Sequence, residues 1–354
     1  MSKLVLIDGN AILHRAFHAL PPLTSTDGQQ ANAVYGFFSM FLRIIDETKP
    51  DYIIACFDRP KPTFRKEMYV EYQAHRPKMD DNLIPQIGIV HEVLGKMKVQ
   101  IFELDGYEAD DIIGTLSFQA VNGAEVGHEN FFVPQLSSRS NSKDLHKSIG
   151  ARQDANEKNF ESSPRQEIDV IIVSGDRDLL QLVNSHVKML APVTGITNML
   201  LFNEQKVEEK YGIKPKQIID YKALIGDASD NYPGVSGVGP KTAVGLIKEY
   251  ETLEGIYKNL DQIKKKNEGL FQKLKDGEEA AEMAKKLATI VTDMPVVLDL
   301  EKCATSCFDI NELKKSFEKF GFKSLLKRLS GENIKPQELK KEEKKTNGEQ
   351  LGLL

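Results

Sequence analysis

Short apolar runs recur along the first part of the chain, and each has the length of a strand that is buried in a sheet. Between the first two runs, apolar side chains at intervals of three and four predict a helix over residues 32–45. Residues 253–329 are predicted to be mostly helical, with one further strand at residues 295–298. The predicted strands of the first part cover residues 4–7, 52–57, 99–102, 168–173, 187–190 and 199–202.

Acidic residues follow several of these strands. Asp8 follows the first run, Asp58 follows the second, and Asp176 lies just after the fourth. In an open parallel sheet, ligands collect at the carboxyl ends of the strands. Acids at these positions are therefore candidates for a shared site.

The densest group of acids lies in residues 106–111, directly after the third predicted strand. Glu108, Asp110 and Asp111 place three carboxylates within four residues. Neighbouring like charges are unfavourable unless a cation or a proton offsets them. Acids also favour the first turn of a helix, where they complement the helix dipole, so this segment alone leaves both explanations open.

Acidic pairs recur further along the chain, at Asp176 and Asp178 and at Asp227 and Asp230. The candidate ligands are all Asp or Glu, with no histidine among them. A ligand set made only of oxygens suits Mg²⁺ or Mn²⁺ rather than zinc. The set is larger than one ion requires, which predicts a pair of metal ions. The candidate metal ligands are Asp8, Asp58, Glu108, Asp110, Asp111, Asp176, Asp178, Asp227 and Asp230.

Residues 59–78 combine basic and aromatic side chains. Phe64 and Tyr72 are interleaved with Arg65, Lys66 and Arg76. Basic groups can contact phosphates and rings can stack on unpaired bases, so the segment is a candidate for binding nucleic acid. A solvated helix with partly buried rings explains the same composition.

A glycine-rich turn is predicted at residues 234–243. It contains Gly237 and Gly239, and Lys241 and Thr242 begin the helix that follows. Backbone N–H groups in such a turn can approach a phosphate, and the two flanking helices give the layout of a helix-hairpin-helix.

The overall composition restricts the remaining classes. A net charge of −5 argues mildly against a nucleic-acid-binding protein, but less so if many of the acids bind metal. The three cysteines form no CxxC pair, so neither a disulfide framework nor a zinc site is indicated. The sequence shows no signal peptide and no apolar run long enough to span a membrane, which predicts a cytoplasmic protein. Residues 121–167 are predicted to be an inserted surface loop, and residues 331–354 a disordered tail.

The ordered set of motifs resembles the bacterial 5′→3′ exonuclease and flap endonuclease family, which is best known as the N-terminal domain of DNA polymerase I. The resemblance runs from residue 4 to about residue 329, with an interruption at residues 121–167. No polymerase domain follows, so a stand-alone nuclease is expected. The matching motifs are LIDG at 6–9, NAVYGF at 32–37, FD at 57–58, GYEADD at 106–111, GDRD at 175–178, GDASDN at 226–231 and the turn at 234–243.

The resemblance implies an α/β nuclease domain over residues 1–212, with a central, mostly parallel, resolvase-like (PIN-like) sheet and flanking helices. A helical arch at about residues 61–96 is expected to cover a single-stranded 5′ end. A helix-hairpin-helix subdomain over residues 213–330 is expected to grip duplex DNA, with a bound K⁺. The implied enzyme is a monomer that uses Mg²⁺ or Mn²⁺ to cut 5′ flaps and 5′ ends, leaving 5′-phosphate and 3′-OH. Its implied setting is DNA repair and the removal of RNA primers from Okazaki fragments.

The resemblance also implies individual roles for the candidate residues. The first metal ion would be held by Asp8, Asp58, Glu108, Asp110 and Asp111, and the second by Asp176, Asp178, Asp227 and Asp230. Arg76 would contact the region of the scissile phosphate. The residues expected to act in catalysis are Asp8, Asp58, Arg76, Asp110 and Asp176. The residues expected to bind DNA are Tyr35, Phe64, Arg65, Lys66, Tyr72, Arg76, Gly237, Gly239, Lys241 and Thr242.

One position departs from the family pattern. The family places a lysine, which stabilises charge in the transition state, where this chain has Gln73. Losing such a contact would cost about 10² in rate unless His75, Arg65 or Lys66 replaces it. The alternative is a weak or inactive protein of the same fold that binds flap DNA. A ribonuclease on a related metal-nuclease fold is a third candidate, against which the helix-hairpin-helix argues.

The last five residues resemble the pentapeptide with which bacterial proteins bind the sliding clamp. An apolar anchor on a flexible tether raises the effective concentration of a protein at its partner. The residues expected to bind the clamp are Gln350, Leu351, Leu353 and Leu354.

Overall fold

The computed structural model describes residues 1–123, 168–196 and 198–331. Most of the predicted insertion and the C-terminal tail, with its four clamp-binding candidates, lie outside the described residues. None of the helices within these ranges combines the length and the apolar composition that crossing a membrane requires.

A twisted sheet forms the centre of the described part of the chain. Its strands are β1 (Ser2–Asp8), β2 (Tyr52–Cys56), β3 (Gln100–Phe102), β4 (Ile168–Val173), β5 (Val187–Thr194) and β6 (Asn198–Phe202). They lie side by side in the order β3-β2-β1-β4-β5-β6. Neighbouring strands are parallel except for β6, which is antiparallel to β5. The predicted mostly parallel sheet is therefore confirmed.

Helices cover both faces of this sheet. In the first half of the chain they are α1 (Gly9–Ala19), α2 (Asn32–Thr48), α3 (Phe64–Met68), α4 (Ile84–Lys96) and α5 (Ala109–Asn122). Successive residues of a strand point to opposite faces, so Val5 and Ile7 of β1 pack against α1, α2 and α4. Leu4 and Leu6 pack on the opposite face of the sheet, against α5 and helices of the second half of the chain.

The second half of the chain is mainly helical. Its helices are α6 (Glu204–Tyr211), α7 (Ile218–Ile225), α8 (Pro240–Tyr250), α9 (Leu253–Lys258), α10 (Leu260–Lys266), α11 (Glu268–Asp276), α12 (Glu278–Ala288), α13 (Ile310–Phe320) and α14 (Lys323–Leu329). Short 3₁₀ helices cover Asp178–Leu182, Pro215–Gln217, Glu301–Cys303 and Thr305–Cys307. A two-stranded antiparallel hairpin, β7 (Gly226–Asp227) and β8 (Tyr232–Pro233), joins α7 to the glycine turn before α8. Helices α7 and α8 thus flank the turn as the helix-hairpin-helix layout predicts.

The segment predicted as a helical arch is helical only at its two ends, in α3 and α4. Between them the chain forms turns, and Gln73 adopts a left-handed conformation with φ of 54°. The N–H of Gln73 donates to the carbonyl of Asp230 at 2.8 Å, and the amide of Asn231 donates to the carbonyl of Glu71. The middle of the segment is therefore fastened to the β7–β8 hairpin instead of continuing as helix.

Candidate active site

The carboxyl ends of β1, β2 and β4 meet at one edge of the sheet because these strands are parallel neighbours. Asp8 is the last residue of β1 and also the N-cap of α1, where it accepts from the N–H of Ala11 at 2.9 Å. Its other oxygen accepts from the hydroxyl of Ser174, just after β4, at 2.6 Å. The same hydroxyl accepts from the N–H of Asp176 at 3.0 Å. Asp8 is therefore held in a fixed position between two strand ends.

Asp58 connects this edge of the sheet to α5, the helix that begins within the acidic segment at residues 106–111. Its carboxylate accepts from the N–H of Ala109, the first residue of α5, at 2.7 Å and from the side chain of Asn10 at 2.9 Å. Glu108 is the N-cap of α5, and Asp110 lies in the first turn. The acids of residues 106–111 therefore complement the end of the helix and also lie beside Asp58.

A second acidic group lies where the 3₁₀ helix after β4 meets the β7–β8 hairpin. Ligand oxygens of Asp178, Asp227 and Asp230 lie within 4.8 Å of one another. The ammonium of Lys222, on α7, contacts both Asp178 and Asp227. Asp227 also accepts from the hydroxyl and the N–H of Ser229, which fixes the turn.

The two groups of acids face one cavity of about 1030 Å³. Its lining includes seven carboxylates, those of Asp8, Asp58, Glu108, Asp110, Asp176, Asp178 and Asp230. The structure therefore brings together acids that lie as far apart in the sequence as Asp8, at the end of β1, and Asp230, between β7 and β8. Asp227 belongs to the second group but does not line the cavity.

The electrostatics of these acids favour a bound cation. Burial raises the pKa of Asp8 to about 7, and the neighbouring Asp58 adds to that shift. Burial is also the main cause that raises the pKa values of Glu108 and Asp178 to about 7 and the pKa of Asp110 well above its ordinary value. Carboxylates that repel one another in a buried site fit divalent metal ions, which prefer oxygen ligands and offset the charge.

The structure does not bring Asp111 or Arg65 to the roles that the resemblance implies. Asp111 is fully buried, and both of its oxygens accept from the guanidinium of Arg65 at 2.7 Å. Arg65 is only 2% exposed and also donates to the carbonyls of Leu287 and Thr289. Because this guanidinium is enclosed by protein acceptors, Arg65 is not available to DNA, and Asp111 does not line the cavity.

The remaining aromatic and basic candidates in residues 59–78 differ in exposure. Phe64 is half-buried beside Tyr107, whereas Tyr72 is only 4% exposed and stacks on Tyr232. The ring of Tyr72 is therefore not free to stack on a base, although its hydroxyl donates to Glu108 at 3.3 Å. Arg76 and Lys66 do line the cavity, and Arg76 donates to Asp230 at 2.6 Å.

The other DNA-binding candidates lie away from the cavity. Tyr35 is half-buried, and its hydroxyl is 2.8 Å from that of Ser324 on α14. Gly237 has a φ of 75°, in the left-handed region that favours glycine, and its turn leads through Gly239 into α8. Lys241 and Thr242 occupy the first turn of that helix and form a separate surface with the two glycines.

Three contributors to the site were missed in the sequence. Asn10 and Ser174 position Asp58 and Asp8, and they lie directly beside strand-end motifs, which is a signal that could have found them. Lys222 is the cation of the second acidic group. Its signal is a single lysine in an otherwise largely apolar helix that leads to Asp227.

Comparison with known families agrees with this architecture. Residues 3–129 match the model of the 5'-3' exonuclease N-terminal resolvase-like domain, and residues 213–311 match the 5'-3' exonuclease C-terminal SAM fold. The 5'-3' exonuclease of Aquifex aeolicus is 34% identical over 329 residues, which cover 93% of this chain and 96% of that protein. The chain belongs to the 5'-3' exonuclease family.

Larger relatives share the same region. DNA polymerase I of Caldicellulosiruptor bescii is 39% identical over 329 residues, and DNA polymerase I of Bacillus subtilis is 34% identical over 336 residues. The matched regions cover 92% and 95% of this chain but only 33% of each polymerase. The chain thus spans about a third of the length of these relatives.

Solved structures show the same fold at low sequence identity. The T5 D15 protein, co-crystallised with metal ions, has a TM-score of 0.56 and 18% identity, with coverage of 93% of this chain and 97% of that one. The catalytic core of Rad2 in complex with DNA has a TM-score of 0.50 and 13% identity, with coverage of 94% and 92%. These similarities establish the fold of the chain.

Proposed function

We propose that this chain is a divalent-metal-dependent 5′→3′ exonuclease and 5′-flap endonuclease that acts on DNA. The observation that carries the proposal is the convergence of seven carboxylates on one cavity. Membership of the 5'-3' exonuclease family supports the direction of cutting. The proposed products carry a 5′-phosphate and a 3′-OH, and the proposed substrates are 5′ flaps, 5′ ends and RNA-primed Okazaki fragments.

The proposed cofactor is a pair of Mg²⁺ ions, which Mn²⁺ could replace. Asp8, Asp58, Glu108 and Asp110 would hold one ion, and Asp176, Asp178, Asp227 and Asp230 would hold the other. Bound divalent ions lower the pKa of a water molecule and stabilise a departing oxygen. The roles of the chain itself are to fix the carboxylates through its strand ends and to place Arg76 beside the cavity. One guanidinium nitrogen of Arg76 donates to Asp230, and its other donors can meet a phosphate.

The glycine turn before α8 is the proposed binding site for duplex DNA. Gly237, Gly239, Lys241 and Thr242 offer backbone N–H groups and a positive charge at the beginning of a helix, which suits a phosphate. A K⁺ ion bound by the same turn is part of the proposal. Replacing K⁺ by a large organic cation at equal ionic strength should then weaken duplex binding more than it weakens binding of single strands.

Cleavage of matched flap substrates tests the proposed function. DNA with a 5′ flap and DNA with a 3′ flap are incubated with the protein in Mg²⁺ and in EDTA, and the product ends are mapped. We expect cleavage of the 5′-flap DNA only, in Mg²⁺ only, with a new 5′-phosphate. Binding of the flap without cleavage in either Mg²⁺ or Mn²⁺ would instead indicate the flap-binding alternative that Gln73 raises.

The tail is the proposed site of a second partner. Gln350, Leu351, Leu353 and Leu354 lie outside the described residues, and we propose that they bind the bacterial sliding clamp. Deleting residues 350–354 should abolish clamp binding without changing flap cleavage in the absence of clamp. Unchanged affinity for the clamp would contradict this part of the proposal. We further propose that the protein acts as a monomer in the cytoplasm.

A further inference from the structure

The positive charges around the cavity are nearly all engaged by carboxylates. Among the described residues, the Lys, Arg and His side chains that line the cavity are His14, Arg59, Lys61, Arg65, Lys66 and Arg76. Arg65 is bound by Asp111 and Arg76 by Asp230. Arg59 and Lys61 share Asp105, at 3.1 and 2.5 Å. These four cations therefore already have an anionic partner.

His14 does not add a charge at neutral pH. Burial lowers its pKa, and the nearby His18 and Arg76 lower it further. Among the candidates to replace the missing lysine, Arg65 is enclosed and His75 does not line the cavity.

Lys66 is the exception among these cations. Its ammonium donates to the carbonyl of Tyr72 at 2.9 Å, and no described carboxylate lies within 4.0 Å of it. A neutral carbonyl leaves the charge of an ammonium uncompensated and two of its donors free. The half-buried Lys66 thus offers an available positive charge at the wall of the cavity.

The position of Lys66 is tied to that of Gln73. The carbonyl of Tyr72 and the N–H of Gln73 belong to one peptide group. The carbonyl of that group accepts from Lys66, and its N–H donates to the carbonyl of Asp230 at 2.8 Å. One peptide group therefore holds the ammonium beside the backbone of Gln73 and, on its opposite side, is itself anchored to the backbone of Asp230.

We infer that Lys66 contacts a phosphate of the substrate in the cavity and supplies the positive charge that Gln73 lacks. The inference rests on the proposed function, since it assumes a phosphodiester substrate. An ammonium at this point would stabilise the negative charge that develops on the phosphate oxygens as water oxygen bonds to phosphorus, the P–O3′ bond breaks and the 3′ oxygen takes up a proton from that water. The charge that other family members would carry at position 73 thus comes from a different residue in this chain.

Relocating the charge tests the inference. Single-turnover cleavage of 5′-flap DNA in Mg²⁺ is measured for the wild type, Lys66→Gln, Gln73→Lys and the double variant Lys66→Gln/Gln73→Lys. Lysine and glutamine at position 73 share the same left-handed backbone requirement, so the exchange changes mainly the charge. Lys96→Gln, which removes an exposed lysine paired with Glu92, is the control.

We expect Lys66→Gln to cleave about 10²-fold more slowly than the wild type, with flap affinity in EDTA changed by less than about threefold. The double variant should regain at least about tenfold of that loss, and Lys96→Gln should stay near the wild-type rate. Thermal unfolding of each variant identifies any that fail to fold.

Two results would overturn the inference while leaving the proposed function in place. One is that the wild type cleaves the flap and Lys66→Gln cleaves it at the same rate. The other is a folded double variant that remains as slow as Lys66→Gln, because the loss would then not be a loss of charge. A wild type that does not cleave the flap at all would overturn the proposed function and this inference with it.

Discussion

At the scale of single residues, the buried pair of Arg65 and Asp111 is a structural element rather than part of the metal centre. Removing one partner of a buried ion pair costs about 3–5 kcal/mol, because the other charge remains buried without compensation. We therefore expect Asp111→Asn to lower the free energy of unfolding by that amount even in EDTA. Urea denaturation of the metal-free protein measures it.

Asp110→Asn is the matched control for this prediction, since it removes the neighbouring acid of the same helical turn. Burial and the nearby carboxylates raise the pKa of Asp110, so its charge is unfavourable in the metal-free protein. The amide should therefore leave stability in EDTA unchanged or raised. Equal stability of Asp111→Asn and the wild type would show that Asp111 does not form the buried ion pair with Arg65.

The raised pKa values of Asp8, Glu108 and Asp178 predict how the stability of the metal-free protein depends on pH. Their folded-state pKa values of about 7 exceed the ordinary values of 3.8 to 4.5. Between these values the folded state binds more protons than the unfolded state, so stability falls as pH rises. In EDTA, we expect the melting temperature to be several degrees lower at pH 8 than at pH 6.

Added metal separates this effect from other titrations. Mg²⁺ or Mn²⁺ should recover most of the lost stability at pH 8, because bound cations replace the protons. The increase should be smaller at pH 6, where protons compete for the same oxygens. A metal-free protein that melts higher at pH 8 than at pH 6 would contradict the account of the acidic groups.

The sequence could identify the strand-end acids but not the partners that distant residues supply. Asp8, Asp58 and Asp176 follow apolar runs, and the parallel sheet brings such ends together. The role of Asp111 depends on Arg65, 46 residues away, whose guanidinium enters the core only because carbonyls of the second half enclose it. Spacing along the chain carries no information about such an enclosure.

At the scale of elements, two glycines allow the close backbone approach within the hairpin that carries Asp227 and Asp230. A Cβ on Gly234 would lie 2.3 Å from the backbone nitrogen of Gly226, and one on Gly226 would lie 2.4 Å from that of Gly234. Any side chain at either position would therefore separate β7 from β8. We expect Gly234→Ala to destabilise the protein by about 1–3 kcal/mol and to weaken Mn²⁺ binding.

Gly245→Ala is the control for this prediction, because a Cβ on Gly245, inside α8, meets no atom within 4 Å. Alanine in an exposed helix interior is favoured over glycine by about 1 kcal/mol, so this variant should be slightly more stable than the wild type. Thermal melts and Mn²⁺ titrations compare the two variants. A Gly234→Ala variant that behaves like Gly245→Ala would contradict the close approach of the two strands.

The elements themselves were largely predictable, since strands β1 to β6 lie within a few residues of the apolar runs. Residues 295–298 are an instructive exception, because they resemble a strand but pair with no strand in the described part of the chain. Instead the side chain of Gln119 donates to the carbonyl of Val296 at 2.7 Å and accepts from the N–H of Leu298 at 2.8 Å. A side-chain amide replaces a neighbouring strand, which an apolar pattern cannot reveal.

At the scale of the whole molecule, the two predicted domains share one hydrophobic core. One face of α5 bonds to the backbone of the second half, with Asp111 accepting from Val291, Thr115 from Met294 and Gln119 from Leu298. The same core cluster includes residues of β1, α5, α7 and α12. We therefore propose that a boundary near residue 212 separates motifs along the chain without separating two folding units.

This shared core predicts a single cooperative unfolding transition. Residues 213–331 produced alone should not fold, because they lose the buried surface of α5 and the sheet. Calorimetry of the whole chain and circular dichroism of the fragment test this expectation. Two separate transitions, or a folded fragment with a cooperative melt, would contradict it.

The most direct test of the account is single-turnover cleavage of a 5′-flap DNA in Mg²⁺ by the wild type and by Asp176→Asn. The account predicts that the wild type cuts and that the variant, although folded and still bound to the flap, is slower by at least about 10³. Cleavage by both proteins at similar rates, or cleavage by the wild type in EDTA, would contradict the claim that the converging carboxylates form a catalytic metal centre.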